Sequence, residues 1–212
     1  MAYSDPYYQL GLKRNPFIAP EKPGVNPSQW IDFGYSAAPE ARQCLFVQII
    51  GVKGAGKTSH LLHWQQQTGG EYFYQAPFDW RSHPPIGPIV YWDEADRVPL
   101  PRLVVALWQA RRQNATVVVG THTSLKRLAQ IASFQVRTIN LSTLNANSLQ
   151  KWIHVQLASE ALPNQEIQVA LSPHEINAIV AQSNGSWRTA ACYLHRWFAK
   201  QASGQQTQQQ TN

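Results

Sequence analysis

The eight residues from Gly51 to Thr58 combine glycines, a lysine and a hydroxyl at a spacing that suits phosphate binding. They read GVKGAGKT, a complete match to the Walker A pattern G-x-x-x-x-G-K-[ST]. Glycines let successive backbone N–H groups turn inward around phosphate oxygens, because no Cβ stands in the way. Lys57 would reach the β- and γ-phosphates of a nucleotide, and Thr58 would offer its hydroxyl to Mg²⁺. The spacing therefore predicts a loop that binds ATP with magnesium.

The segments on either side supply the strand and the helix that such a loop requires. Residues 44–50 are apolar and β-prone, while residues 58–67 contain neither glycine nor proline. The N-terminus of that helix adds its partial positive charge to the same phosphates. Ser59 points about 100° away from Thr58 on an α-helix, so only Thr58 is expected on the metal. The predicted nucleotide-binding residues of this region are Gly51, Val52, Lys53, Gly54, Ala55, Gly56, Lys57, Thr58 and Ser59.

A second segment ends in a pair of acids. Residues 89–92 form a short apolar run, which Asp93 and Glu94 follow directly, as in a Walker B motif. In P-loop ATPases the neighbouring strand delivers an aspartate that holds Mg²⁺ through water, and the next glutamate can polarise the attacking water. We therefore expect Asp93 to join Thr58 at the metal and Glu94 to be the catalytic base. The alternative for Glu94 is a solvated acid that opens a helix, which is the better explanation of Asp96.

Strands and helices alternate through the first two thirds of the chain, which indicates a parallel α/β sheet. Strands are predicted at 44–50, 71–74, 89–93, 116–120 and 136–141, with helices at 58–67, 98–113 and 124–133. The second and third strands lie only about fifteen residues apart, too few for the usual intervening helix. Beyond residue 141 only helices are predicted, at 147–162, 173–183 and 187–200. The predicted fold class is α/β, a five-stranded parallel P-loop core with a small C-terminal helical lid.

Composition divides the chain into four stretches. Residues 1–43 are rich in proline, glycine and aromatics without a sustained period, which predicts an irregular packed arm. The core is expected at 44–141 and the helical lid at 142–202, and the glutamine-rich stretch 203–212 is predicted to be disordered. A chain of 212 residues with 43% hydrophobic content can bury one sizeable core and a small appendage.

Targeting signals and cysteine usage favour the cytoplasm. No run approaches the roughly 20 apolar residues of a membrane span, and the N-terminus has no hydrophobic signal region. No membrane insertion is therefore expected. Cys44 and Cys192 are far apart and lack metal-ligand spacing, so they are expected to be buried thiols in a reducing compartment.

Basic residues are concentrated in the middle of the chain. The formal net charge is +6, and seven of the eighteen basic residues lie between positions 97 and 137. Such a balance permits binding to duplex DNA if these side chains share one face, and a solvated basic surface is the equally weighted alternative. The residues concerned are Arg97, Arg102, Arg111, Arg112, Lys126, Arg127 and Arg137.

Short motifs in a fixed order make the chain resemble the AAA+ ATPases, and within them the ExeA/TniB/TnsC-type group of secretion and transposition ATPases. Residues 11–17, GLKRNPF, match the "GL...NPF" opening of that group, ahead of both Walker motifs. Residues 141–144, LSTL, match its "L-x-x-L" junction into the lid. Residues 183–188, SNGSWR, resemble the "S-x-G-x-x-R" that begins the last lid helix. The resemblance implies an ATPase that assembles into homo-oligomers and uses ATP and Mg²⁺.

The resemblance also implies roles for residues to which motif spacing alone assigns none. Arg188 would be sensor 2, a lid cation that contacts the γ-phosphate and distinguishes ATP from ADP. Thr121 would be sensor 1, a polar side chain between the acids and the γ-phosphate, with Thr123 or His122 as substitutes. The N-terminal arm would pack over the adenine through Phe17, for which simple core packing is a compatible alternative. The implied catalytic residues are thus Glu94, Thr121 and Arg188.

One expected residue is absent from the sequence. AAA+ members usually carry an arginine finger just before the fifth strand, where residues 132–135 here read ASFQ. Arg127, Arg137, Arg111 and Arg112 are the candidate substitutes. A trans finger typically raises the rate by several powers of ten, so its loss would leave ATPase activity slow or dependent on a protein partner.

Three functions remain open. The first is an AAA+ ATPase that oligomerises with ATP, on duplex DNA, as a nucleotide-controlled switch or recruiter. The second is an ATP-dependent assembly factor for a secretion or pilus-like machine that does not touch nucleic acid. The third, a small P-loop kinase, is the least favoured, because paired acids after the third strand suit activation of water.

Overall fold

The computed structural model describes residues 5–18, 31, 34 and 37–209, and the chain divides into two compact units. Residues 34–143 form an α/β unit. The N-terminal residues through Phe33 and the residues from Leu144 onward form a second unit, whose described part is helical. No helix within the described residues is long and apolar enough to cross a membrane.

Five parallel strands and three helices make up the α/β unit. The strands are β1 (Leu45–Ile50), β2 (Glu71–Tyr74), β3 (Ile89–Asp93), β4 (Thr116–Thr121) and β5 (Gln135–Asn140), and the helices are α1 (Lys57–Thr68), α2 (Leu100–Arg112) and α3 (Lys126–Ile131). The strand order in the sheet is β2-β3-β4-β1-β5. The predicted fold class, a five-stranded parallel P-loop core followed by helices, is confirmed. The absence of a helix between β2 and β3 is confirmed as well.

Helices cover both faces of this sheet. On one face α1 packs against the strands through Leu61 and Trp64. On the other face α2 and α3 pack over a second cluster that includes Phe46, Trp92 and Phe134. Because the central strands are buried on both sides, they are continuous apolar runs rather than alternating ones, as the sequence indicated.

The register brings the polar ends of three strands to one edge of the sheet. β1 pairs with β4 so that Ile50 lies opposite Thr121, and β4 pairs in turn with β3. Parallel strands all end at the same edge, so the loop after β1 and the residues after β3 and β4 become neighbours. This edge is the usual position of a ligand site in open α/β sheets.

The described part of the second unit has three α-helices, α4 (Ala146–Glu160), α5 (Pro173–Ser183) and α6 (Trp187–Gln209), with a short 3₁₀ helix at Pro6–Leu10 packed on them. Buried Asn15 fastens the N-terminal segment, since its side-chain amide donates to Tyr7 Oη and to the carbonyl oxygen of His195, both at 3.0 Å. Residues 5–18 of the predicted arm therefore belong with the C-terminal helices, whereas residues 37–43 belong to the α/β unit. Residues 19–30 of that arm lie outside the described part of the chain.

Two expectations differ from the structure. The predicted disordered stretch 203–212 continues α6 as far as Gln209, because alanine and glutamine are good helix formers that outweigh a single glycine, and residues 210–212 lie outside the description. Cys192 is exposed and Cys44 is half-buried, so the expectation of two buried thiols is wrong. Ala190, Leu194 and Phe198 are buried and mark the side of α6 that faces the core. Cys192 lies about 200° around the helix from Ala190 and therefore faces the opposite side.

Candidate nucleotide site

The loop after β1 has the backbone that a phosphate cradle needs. Gly54 and Gly56 have φ values of +82° and +97°, a region that a side chain would strain. Gly56 is also the N-cap of α1, so the helix begins where the loop ends. The Ala55 amide donates to the carbonyl oxygen of Val52 at 3.1 Å, which closes the turn.

Lys57 is buried at the base of this loop. Its ammonium donates to the carbonyl oxygens of Gly51 at 2.9 Å and Val52 at 3.4 Å. Burial lowers the pKa of Lys57, and the nearby carboxylates of Glu94 and Asp93 offset part of that shift. A buried cation held mainly by neutral carbonyl groups is a strong electrostatic site for an anion, since each phosphate oxygen offers it a charged partner.

Thr58 and Asp93 meet directly. Thr58 Oγ1 donates to Asp93 Oδ2 at 2.6 Å, and Tyr72 Oη donates to the same oxygen at 2.9 Å. Burial and the proximity of Asp93 both raise the pKa of Tyr72, so it remains a donor. Gly120 of the adjoining strand makes room for this carboxylate, because a Cβ there would lie 2.6 Å from Asp93 Oδ1. Sequence and structure thus bring the two predicted metal ligands together.

These residues fit a magnesium ion. A hydroxyl and a carboxylate are the hard oxygen ligands that Mg²⁺ takes from proteins, and substrate phosphates and waters usually complete its octahedron. The described residues contain no group of three or more His, Cys, Asp or Glu side chains that could hold a metal alone. Thr58 and Asp93 would therefore hold Mg²⁺ together with a bound nucleotide, as the motif spacing predicted.

Glu94 adopts a left-handed backbone conformation immediately after β3, with φ +57°. Such a conformation costs a residue with a side chain on the order of 1–3 kcal/mol, and it is concentrated at functional sites. Its carboxylate Oε2 lies 3.0 Å from Arg97 Nη2 and 3.1 Å from His122 Nε2. The predicted base is thus held by two side chains beside the phosphate loop.

His122 lies between the lysine and the glutamate. Each of its ring nitrogens is 3.4 Å from Lys57 Nζ, and Nε2 contacts Glu94. A neutral ring with its proton on Nε2 satisfies both neighbours, because Nε2 then donates to Glu94 while Nδ1 accepts from Lys57. The backbone amide of His122 donates to Asp96 Oδ2 at 3.3 Å. His122 is therefore the residue after β4 that joins the two Walker motifs.

Thr121, the expected sensor 1, is the last residue of β4, and its sensor role stays a prediction. Its hydroxyl is fully buried, donates to the carbonyl oxygen of Thr123 at 2.7 Å and accepts from the amide of Thr123 at 3.3 Å. These bonds shape the loop after β4. Of the two substitutes named from the sequence, His122 is the one whose side chain contacts Lys57 and Glu94.

Lys53 of the phosphate loop and Ser59 of α1 are exposed, and the two other predicted site residues, Phe17 and Arg188, belong to the helical unit. Phe17 is buried, with its ring centroid 5.2 Å from those of Trp152 and Phe198, which agrees with its expected core packing. Arg188 is exposed as the second residue of α6. The expected roles of Phe17 at the adenine and of Arg188 at the γ-phosphate stay predictions.

The central basic residues are not equivalent. Arg97 pairs with Glu94, Arg111 donates to the carbonyl oxygen of Ser133 at 3.0 Å, and Arg137 is half-buried. Burial lowers the pKa of Arg137. More exposed cations remain on α2 and α3, which lie on one face of the sheet: Arg112, Lys126 and Arg127.

The chain is similar over part of its length to several solved structures. Thermotoga maritima RuvB, described as a Holliday junction branch migration motor, is 17% identical with a TM-score of 0.48, over 71% of this chain and 53% of that one. Aeropyrum pernix ORC1, solved in complex with DNA, is 16% identical with a TM-score of 0.44, over 70% of this chain and 52% of that one. This chain thus spans about half the length of each. Neither a protein-family model nor a curated protein sequence matches it.

Proposed function

We propose that this chain is an ATP-binding AAA+ ATPase that acts as a nucleotide-controlled oligomeric switch or recruiter on duplex DNA. The observation that carries the nucleotide part is the 2.6 Å bond between Thr58 and Asp93, beside a buried Lys57 in a complete phosphate loop. It joins the two Walker motifs at the edge of the sheet where both are needed.

The residues around the loop have distinct roles in hydrolysis. Lys57 and the N-terminus of α1 bind and neutralise the β- and γ-phosphates. Thr58 and Asp93 would hold Mg²⁺, which would supply further neutralisation of charge on the phosphates. Glu94 accepts a proton from the attacking water on Oε1, because Arg97 and His122 both contact the other carboxylate oxygen, Oε2. A positioned general base contributes about 10²–10⁴-fold in rate.

An arginine finger would come from a neighbouring copy. Among the four substitutes, Arg111 and Arg137 are tied to backbone carbonyl oxygens of their own chain. Arg112 and Arg127 are more exposed and are the better candidates. We propose that hydrolysis is slow in an isolated copy and faster in an oligomer or with a partner that completes the site.

The DNA part of the proposal is supported by the exposed cations of α2 and α3. Lys126 and Arg127 stand on one face of the α/β unit together with Arg112. Phosphate contacts of this kind make affinity fall steeply with salt, so binding should weaken by at least tenfold between about 50 and 200 mM salt if several cations take part.

The test is the size of the purified protein with ADP and with a slowly hydrolysed ATP analogue, each with and without duplex DNA. We expect larger oligomers with the analogue, and DNA should favour them. Arg188→Ala should reduce this difference between nucleotides more than it reduces nucleotide binding, because only a differential contact shifts a conformational equilibrium. Arg196→Ala, an exposed arginine further along α6, is the matched control. A protein that stays monomeric in every state contradicts the switch, and oligomers that ignore DNA at low salt favour the assembly-factor alternative.

A further inference from the structure

The connection between β2 and β3 leaves one flank of α2 without a neighbouring helix among the described residues of this unit. Parallel strands are usually joined by a helix packed on the sheet, and residues 75–88 make this crossover as a loop. The loop stays on the α2 face, since Trp92 Nε1 donates to the carbonyl oxygen of Pro85 at 3.1 Å and Ile86 packs against the core there. The position that a crossover helix would occupy beside α2 therefore lacks a helix.

A groove occupies this position. It has a volume of about 480 Å³ and is lined by His83, Pro84, Pro101, Arg102, Val105, Ala106 and Gln109. Val105 is 54% exposed and Trp108, one turn further along α2, is 59% exposed. Leu100 and Val104 extend the same apolar surface. Contiguous exposed apolar side chains with a polar rim are typical of protein-binding surfaces.

The charged side chain that lines the groove is positive. Arg102 lines it, the loop adds exposed Arg81, and α2 contains no acidic residue. Asp79 is the acidic residue of the loop, and its carboxylate is hydrogen-bonded within residues 79–82. It accepts from the amides of Arg81 and Ser82 and from the Ser82 hydroxyl. A partner that fits must therefore offer carboxylates around an apolar stripe.

We propose that this groove is the docking site for an acidic amphipathic α-helix of a partner protein, which lies beside α2 where the crossover helix is absent. Helices dock in such grooves through side chains spaced three and four residues apart. A second copy fits less well, because this chain carries a formal net charge of +6. Nucleic acid fits less well too: among the residues that line the groove only His83 carries a ring on which a base could stack, and the Trp108 ring beside it is covered by the Arg112 guanidinium, 5.0 Å from the ring centroid.

The inference is independent of the nucleotide site. None of the residues that line the groove belongs to the phosphate loop or to the acid pair. Variants in the groove should therefore bind a fluorescent ATP analogue as the wild type does, which makes nucleotide binding a direct check that each variant is folded. Failure of docking and failure of the ATPase proposal are then separate results.

The probe is a fluorescein-labelled helical peptide with leucines at positions i, i+3, i+4 and i+7 and glutamates on both flanks, compared with the same peptide carrying lysines. By anisotropy at low salt, we expect the acidic peptide to bind at least about tenfold more tightly, and Val105→Glu to weaken it by about tenfold or more. Arg102→Glu should remove the preference for the acidic peptide. Ile131→Glu changes an apolar side chain that is 82% exposed on α3, outside the groove, and should bind as the wild type does.

Three results would overturn the proposal. The first is equal binding of the two peptides, or binding that Val105→Glu leaves unchanged. The second is self-association in sedimentation runs that Val105→Glu abolishes, which would make a second copy the occupant. The third is displacement of the peptide by a duplex oligonucleotide, together with loss of oligonucleotide binding in Arg102→Glu, which would make the groove a nucleic-acid surface.

Discussion

The two units bury polar side chains for different purposes. In the α/β unit, Lys57 bonds to carbonyl oxygens of its own loop, and a bound phosphate would replace these contacts. In the helical unit, Asn15 bonds to a backbone group 180 residues away, and Arg14 donates to Glu160, 146 residues away. The contacts of Lys57 leave its charge available to a bound phosphate. The contacts of Asn15 and Arg14 hold together segments that are far apart in the sequence. Variants in the two units should therefore affect different measurements.

The largest effect on nucleotide binding is expected from Lys57→Met, which keeps the apolar stem and removes the ammonium. Binding of a fluorescent ATP analogue should fall by at least about a hundredfold, because a charge-assisted bond to phosphate is lost from a buried site. Burial lowers the pKa of Lys57, so the folded state disfavours the charge. The thermal midpoint should therefore not fall. Lys53→Met, at an exposed position of the same loop, is the control and should bind nearly as the wild type does.

Glu94→Gln should separate hydrolysis from binding. We expect phosphate release to slow by about 10²–10⁴-fold, because an amide cannot accept the proton of the attacking water. Binding of the ATP analogue should persist. Asp93→Asn, by contrast, should also lose the magnesium dependence of binding, since its carboxylate contacts Thr58. Turnover at the wild-type rate in Glu94→Gln would remove this residue from the mechanism.

The sequence predicted the parts of the site that chain connectivity determines. A loop after an apolar strand and an acid pair after another must lie at the same edge of a parallel sheet, so Lys57, Thr58 and Asp93 could be placed together in advance. The contact of Tyr72 with Asp93 could not, because it depends on the register in which β2 pairs with β3. Arg97 stands three residues after Glu94, and that spacing was the one signal for their ion pair.

The helices of the helical unit could be predicted from the sequence, but the hydrogen bonds that join its N-terminal segment to them could not. The periodicity located all three helices, and the Ser172-x-x-Glu175 capping box marks the start of α5. The bonds from Asn15 join segments that are far apart in sequence, and no local pattern indicates them. The sequence also favoured disorder after residue 203 on composition alone, whereas the structure extends α6.

Asn15→Ala is the corresponding test in the helical unit. Tyr7 Oη and the His195 carbonyl oxygen would each lose a donor, and the buried amide of Phe17 would lose its acceptor, which costs about 1–3 kcal/mol of the free energy of unfolding. The measurement is chemical denaturation followed by tryptophan fluorescence. Nucleotide affinity should stay at the wild-type level if the two units divide their tasks as the structure indicates. Asn147→Ala, at an exposed position of α4, should change neither quantity by more than about 0.5 kcal/mol.

The smallest effect concerns pH and the capping box of α5. The Ser172 backbone and hydroxyl hydrogen bonds, with a further bond from Trp197 Nε1, lower the pKa of Glu175 below its usual 4.5. Because the folded pKa is the lower one, the stabilisation is present above pH 4.5 and is lost as the pH falls through the folded value. Glu175→Gln keeps a side chain that can accept the capping-box hydrogen bonds but carries no charge. The free energy of unfolding of this variant should therefore decline less than that of the wild type between pH 6 and about pH 3. The difference should stay below about 1 kcal/mol, since the carboxylate is partly solvated. Identical pH profiles for the two proteins would show that the charge of Glu175 contributes nothing to the start of α5.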